Sequence, residues 1–480
     1  MVTQYRKPKI GPREYNKNKS NKMRVTLRKL PLLLLPSIIG FLMIILLVLL
    51  PTDNFVPLTY APHTLPQVAV GGPTISNNTQ LKVELVSKGL KAPTSMAFLG
   101  PNDVLVLEKN KGNVQRIVNG KISPQPLLHV NVATQVERGL LGIAISKHTN
   151  GPTYVFLYYT ESGGGVGGLT GAQPLGNKLY RYELVNNNQL ANPKLLLDLP
   201  AIPADPLSIE TNHNGGKVII GPDGNVYAVI GDVGSHRGQM ENVANGPPPD
   251  LTGGVLRVTQ DGQAVPNSPL GATDPLNKYY AYGIRNSFGI DFDPVTGKLW
   301  DTENGASFGD EINLVNSGFN SGWVQVQGVW KAGGSPGPVI GADNNNPPKN
   351  LVTFGGKGVY RAPALAWNQE VAPTALKFLN STKLGKQYEN DMFVGAILNG
   401  NIYHFKLNQQ RDGLLLGGSI AANTNVANTL QESQQFVFAQ GFGGITDLQV
   451  GPDGYLYVLS YTDGALYRII PSSTSSSGIS

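Results

Sequence analysis

IGPDGNVYAVIGDVG, residues 220–234, decides the fold. An apolar residue leads into Gly221-Pro222-Asp223-Gly224, an apolar run follows from Val226 to Ile230, and Gly231-Asp232 closes the unit. Proline fixes φ in the turn, aspartate bonds nearby backbone, and glycine accepts φ > 0, so the segment reads as a hairpin turn feeding a strand. The cadence returns as FLGPNDVLVLEKNKG (98–112), FDPVTGKLWDTENG (292–305) and VGPDGYLYVLSYTDG (450–464). Pro101, Pro222, Pro294 and Pro452 are separated by 121, 72 and 158 residues. A unit of roughly 60–80 residues covers those gaps in two, one and two steps, which makes about six units. Four-stranded sheets repeated radially make a β-propeller. The expectation is an all-β, six-bladed β-propeller over residues 81–470. A pair of sandwiches gives no such recurrence.

Composition points the same way. The 480 residues include 58 Gly and 35 Pro, and amphipathic helical patterns are scarce. No cysteine occurs, which excludes disulfides, thiolate metal sites and cysteine nucleophiles. Residues 1–30 hold ten Lys/Arg against Glu14 alone. Subtracting that +9 from the whole-chain +6 leaves −3 for the rest. The basic charge therefore belongs to a tail, and nucleic acid is not an expected partner.

Pro31–Leu50, PLLLLPSIIGFLMIILLVLL, is a run of twenty uncharged residues. At about 1.5 Å per residue such a helix spans roughly 30 Å of hydrocarbon. The basic flank holds residues 1–30 on the cytoplasmic side. The chain is thus expected to be single-pass in the cell membrane through an N-terminal transmembrane helix, with the propeller extracytoplasmic. A cleaved signal sequence would export the same domain. Residues 51–80, rich in Pro, Asn and Thr, read as a linker, and residues 471–480 as a disordered tail.

Polar residues and glycines gather where strands end, and strand ends are where sites are built. His213 lies in Asn212-His213-Asn214-Gly215-Gly216, just before an apolar strand. Imidazole is the usual general base near neutral pH; the alternative is a turn histidine bonded to backbone. Asp232 ends the next strand, where a carboxylate can orient that imidazole. Arg285-Asn286 ends another apolar stretch, and an arginine there can stabilise a developing anion or tie loops together. Glu303-Asn304-Gly305-Ala306 with Asp310-Glu311 offers oxygens to a hard cation, or forms a capped, solvated loop. Glu137-Arg138 opens an apolar strand and reads otherwise as an exposed ion pair. The two GPDG turns are expected to place strands and do no chemistry.

Four blocks, in order across residues 85–470, resemble the glucose/sorbosone dehydrogenase family, which includes soluble quinoprotein glucose dehydrogenases and aldose sugar dehydrogenases. They are ERGLLGIAIS (137–146), NHNGGKVIIGPDGNVYAVIGDVG (212–234), the stretch from YGIRNSFGIDFDPVTGKLW to ENGASFGDEINLVNSGFNSGW (282–323), and DLQVGPDGYLYVLSYTDGALYRI (447–469). The resemblance implies a six-bladed propeller that carries pyrroloquinoline quinone (PQQ) and Ca²⁺ and oxidises the anomeric hydroxyl of an aldose sugar, passing electrons to an external acceptor. It assigns His213 as base, Asp232 as its support, Glu137, Arg138, Arg285 and Asn286 to the cofactor, and the Gly305 and Ala306 carbonyls to Ca²⁺. This chain departs from the family pattern where cations hold the cofactor's carboxylates. A lysine position falls on Leu398, and an Arg-x-Arg-Asp run reads Gly444-Ile445-Thr446-Asp447; apart from these, a glutamine of the first block falls on Glu137, an acid that repels an anion unless it is paired. Arg138, Arg237 and Lys217 are the candidate replacements. The departures leave open a surface binding propeller that has lost its cofactor, or a Ca²⁺-dependent hydrolase with carboxylates on a central metal.

Overall fold

The computed structural model describes residues 64–164, 173–203, 210–234, 237–331, 344, 347–422 and 424–472. Six strands form its inner wall: β1 (Pro93–Gly100), β2 (Leu140–Lys147), β3 (Val218–Ile220), β4 (Ser287–Phe292), β5 (Pro373–Phe378) and β6 (Ile445–Val450). Each is the edge strand of its own sheet of four or more strands. They contact one another in cyclic order, β1 on β2 and so on to β6 on β1. The described residues fold as an all-β propeller.

The GPDG segments do what their residues dictate. In each, the first glycine N–H donates to the carbonyl four residues on (Gly221 to Asn225, Gly451 to Tyr455, both 2.9 Å). The aspartate takes a backbone N–H two residues on and a tyrosine hydroxyl four residues on: Asp223 with Asn225 and Tyr227, Asp453 with Tyr455 and Tyr457. A Cβ at Gly221 would lie 2.5 Å from the Tyr227 ring, so only glycine lets that tyrosine close over the turn. Behind the turn, Val226–Ile230 is buried at all five positions, because its sheet is covered on both faces.

Sheet faces supply the core. Phe156, Tyr158 and Leu179 pack against Ala228, Ile230 and Tyr279 in one seam. Trp300, Leu314 and Trp367 meet Met392, Val394 and Tyr403 in another. Fully burying side chains of this kind contributes about 1.5–3 kcal/mol each. Leu81–Lys88 pairs antiparallel with Ala465–Pro471, so the first long strand and the last share a sheet and no disulfide is needed to join them.

The linker reading of residues 51–80 requires correction from Val68 onward. Val68 bridges to Phe442, and Thr74–Ile75 pairs with Ala439 and Gln440 at the rim of the β5 sheet. Composition missed this because a two-residue edge strand has no periodicity to display. The transmembrane expectation for Pro31–Leu50 lies outside the described residues. Among those described, no helix is long and apolar enough to cross a membrane.

Candidate active site

His213 and Asp232 meet because Gly231 lets them. A Cβ on Gly231 would fall 2.5 Å from the Arg285 carbonyl and 2.7 Å from that of His213, so three loops converge on a residue without a side chain. His213 itself takes φ 60°, a left-handed conformation that non-glycine residues adopt at a cost. Its Nδ1 lies 2.5 Å from Asp232 Oδ1. Nε2 has no hydrogen-bond partner among the described residues.

Asp232 is fully buried. Burial alone would raise its pKa, but the His213 charge and hydrogen bond, then Arg285 and Trp323, outweigh it and hold the carboxyl below its ordinary value. Trp323 is the residue that sequence reasoning passed over. Its Nε1 donates to Asp232 Oδ2 at 2.7 Å, and the Arg285 guanidinium lies 5.4 Å from its ring centre. The only cue was its place at the end of the 282–323 stretch.

Trp323→Phe is expected to keep a ring beside Arg285 and remove one donor to Asp232, at a cost of about 1–3 kcal/mol for a hydrogen bond to a charged group. A depressed carboxyl contributes stability above its unfolded pKa and loses it as pH falls through the folded value. The variant weakens that depression, so its acid-unfolding midpoint should move to higher pH. Circular dichroism against pH checks this, and an unmoved midpoint would show that the bond carries no weight.

Arg285 is fixed from both ends. Its backbone N–H donates to Glu303 Oε1 at 2.6 Å, and its Nη1 to the carbonyls of Asn304 (2.9 Å) and Gly305 (2.7 Å). Asn286 donates to Glu137 Oε1 at 3.0 Å, while Glu137 Oε2 takes the Asn214 N–H at 3.2 Å. Glu137 therefore joins the His213 and Arg285 loops. Buried Lys109 lies nearby; burial pushes its amine down to about 8 against the opposing pull of Glu137.

The remaining predicted residues divide. Arg138 is buried and bonds the Ala201 carbonyl. Lys217 pairs with buried Asp447, which removes it as a replacement cation. Asp310 shapes the Gly305 loop, accepting N–H groups from Gly305 (2.9 Å), Val371 (2.7 Å) and Ala372 (2.8 Å). Glu311 takes Gly328 N–H and Asn313 Nδ2. These acids hold loops, and among the described residues no three His, Cys, Asp or Glu side chains form a metal-binding group. Any metal at this loop would rely on carbonyls, such as Gly305 and Ala306.

Do these residues suit a quinone cofactor? Arg285 Nε and the side-chain oxygens of Asn212, Asn286 and Asn304 are buried without partners. Such orphans suit an additional polar group at this corner. At the reacting end Arg285 Nε is the orphaned donor for a quinone oxygen, while the orphaned amide oxygens, like backbone carbonyls, suit Ca²⁺.

Behind the corner, Asp301 is fully buried, and its contacts with the Asn313 and Ser287 side chains only partly offset that burial. It sits opposite Asn313, whose Oδ1 is orphaned. Burial first, then Glu303, drives its pKa well above the usual value. A raised carboxyl contributes stability that is full below the unfolded pKa and lost as pH rises toward the folded one. Asp301→Asn supplies a neutral donor for Asn313, and is expected to add about 1–3 kcal/mol at neutral pH and flatten the decline between acid and neutral pH. Urea melts at two pH values test this; a destabilised variant would refute it.

The comparisons with known proteins fall on this geometry. Residues 90–468 match the glucose/sorbosone dehydrogenase family. The chain belongs to that family. It is 25% identical over 399 residues to the aldose sugar dehydrogenase YliI of Escherichia coli K12, covering 82% of this chain and 93% of that one. It is 26% identical over 298 residues to quinoprotein glucose dehydrogenase B of Acinetobacter calcoaceticus, covering 59% and 60%. An oxidoreductase (glucose dehydrogenase) of Thermus thermophilus superposes with a TM-score of 0.58 at 27% identity, over 81% of this chain and all of that one. The PQQ-bound aldose sugar dehydrogenase of Streptomyces coelicolor gives 0.57 at 21% identity, over 83% and 100%, a likeness of fold. The family match makes the chain an oxidoreductase of the sugar dehydrogenase kind.

Proposed function

We propose that the chain oxidises the anomeric hydroxyl of an aldose to the lactone, with PQQ as hydride acceptor, Ca²⁺ beside it and an external electron acceptor. The observation that carries this is the His213–Asp232 bond, which leaves Nε2 for a substrate hydroxyl. His213 takes the hydroxyl proton at Nε2, and Asp232 holds the tautomer and balances the imidazolium. Arg285 and Asn286 would hold the quinone, with Glu137 keeping Asn286 in place. Gly305 and Ala306 would supply carbonyls to Ca²⁺. When bound, the quinone supplies a two-electron acceptor and the metal a Lewis acid.

We read the six sheets of four or more strands as six blades. Tethering through Pro31–Leu50 rests on the sequence alone, and extraction of the protein from membranes only by detergent would support it. Reconstitution tests the activity: the whole chain, PQQ and Ca²⁺, with dye reduction followed on several aldoses. Absence of bound quinone by absorbance counts against it. A second reading, a binding propeller without cofactor, is favoured by Leu398, Gly444 and Thr446, none of which offers a cation.

A further inference from the structure

Lys109 follows the second strand of the β1 sheet, Asp103–Glu108, and is buried. Its stem lies in a slot that a glycine leaves open. A Cβ on Gly139 would fall 2.6 Å from Lys109 Cγ and 2.8 Å from its carbonyl oxygen. The Lys109 N–H donates to the Ala92 carbonyl at 3.1 Å, and the Lys109 carbonyl takes the Leu140 N–H at 3.0 Å. Thr446, on β6, reaches the next residue of the same segment, its Oγ1 donating to the Pro93 carbonyl at 2.9 Å. Glu137, on the other flank, holds the Asn286 amide. Lys109 therefore adjoins both the Glu137–Asn286 bond and Thr446, a position that offers no cation.

The ammonium is underused. It carries three donors and no acceptor. Nζ gives one to the Val136 carbonyl at 2.7 Å and one to Asn110 Oδ1 at 3.2 Å. The third has no partner among the described residues, and Lys109 joins no ion pair there. Glu137 does not supply one, because its oxygens take the Asn286 amide and the Asn214 N–H. The other charged side chains on the surrounding segments face elsewhere. Lys91 and Lys111 are exposed, Glu108 takes the side-chain amides of Asn113 and Gln115, and Arg138 bonds the Ala201 carbonyl. A buried cation without a paired anion is costly to keep. A neutral ligand oxygen would fill the third donor and leave the charge uncompensated, whereas a carboxylate does both.

We propose that Lys109 binds a carboxylate of the cofactor, standing in for the cations missing at Leu398, Gly444 and Thr446. The proposal rests on the quinone reading of the corner. Calorimetric titration of the whole chain with PQQ and with its trimethyl ester, Ca²⁺ present throughout, tests it without turnover. Lys109→Gln removes the charge and keeps an N–H for the Val136 carbonyl.

The parent should bind PQQ about 10–100-fold more tightly than Lys109→Gln, whereas the ester should bind the two alike. Equal binding of PQQ to the parent and a folded Lys109→Gln overturns the proposal. So does an equal loss for the ester, which would make Lys109 a brace of the corner. Should the variant fail to fold, the parent alone decides through pH. Burial holds the free amine down to about 8, with Glu137 opposing, and a bound carboxylate raises it. The preference for PQQ over its ester is then full below about 8 and shrinks as pH rises beyond it. Arginine keeps its charge in that range, so a preference unchanged between about pH 7 and about 10 overturns the proposal. A parent that binds no PQQ sinks the quinone reading together with this one. PQQ binding that ignores Lys109 sinks this one alone.

Discussion

His213→Ala is expected to cut turnover by about 10²–10⁴-fold while leaving cofactor affinity in place. The loss follows from chemistry. A sugar hydroxyl is a weak acid, and hydride leaves its carbon readily only as the proton departs. His213 Nε2 is the nitrogen left for that proton, because Nδ1 faces Asp232 at 2.5 Å. Arg285 and Asn286 hold the proposed quinone contacts, so cofactor affinity should survive. Alanine at φ 60° is itself strained, so His213→Asn, which tolerates that conformation, is the companion. Both should lower kcat with KM little changed. Stopped-flow dye reduction and calorimetric PQQ titration measure the two effects. Unchanged turnover would remove His213 as the base. Equal loss of turnover and cofactor affinity would make it a structural residue of the corner.

The residues that carry this argument were unequally legible. The propeller was readable because its turns repeat: Pro222 and Pro452 sit in identical GPDG segments with a tyrosine four residues after each aspartate. His213, Asp232 and Arg285 showed themselves as polar residues at strand ends. Trp323 did not, since a tryptophan near a run of glycines reads as core. Glu137 looked like a liability to an anionic cofactor; folding gives its oxygens to Asn286, 149 residues away, and Asn214, 77 away. Ring topology causes such pairings, and local sequence carries no trace of them. The acids of the Gly305 loop suggested a metal because type and spacing cannot tell a ligand from a loop brace.

The largest stability effect is expected from Asp447→Asn, because Asp447 ties three inner strands together. It lies on β6 and is fully buried. Its Oδ2 takes the Met96 N–H at 2.8 Å and the Ser95 hydroxyl at 3.1 Å, both on β1. Its Oδ1 pairs with Lys217, which precedes β3 and has a side chain only 5% exposed. Asparagine keeps the shape and removes the charge, leaving an uncompensated ammonium in the interior. Breaking one side of a buried pair costs about 3–5 kcal/mol, whereas replacing both partners by apolar residues is often neutral. The single variant should therefore unfold at markedly lower urea with an unchanged slope. Lys217→Met added to Asp447→Asn should recover part of the loss, a coupling that the double-mutant cycle reads directly. A single-variant cost below about 1 kcal/mol would mean that water or a shifted lysine already solvates the pair. The same variant bears on the cofactor, since it frees Lys217 from its partner. If PQQ binds Asp447→Asn more tightly than the parent, Lys217 lies within reach of the carboxylate end and the native ion pair suppresses it. If affinity is unchanged, the missing cations at Leu398, Gly444 and Thr446 have no substitute in Lys217.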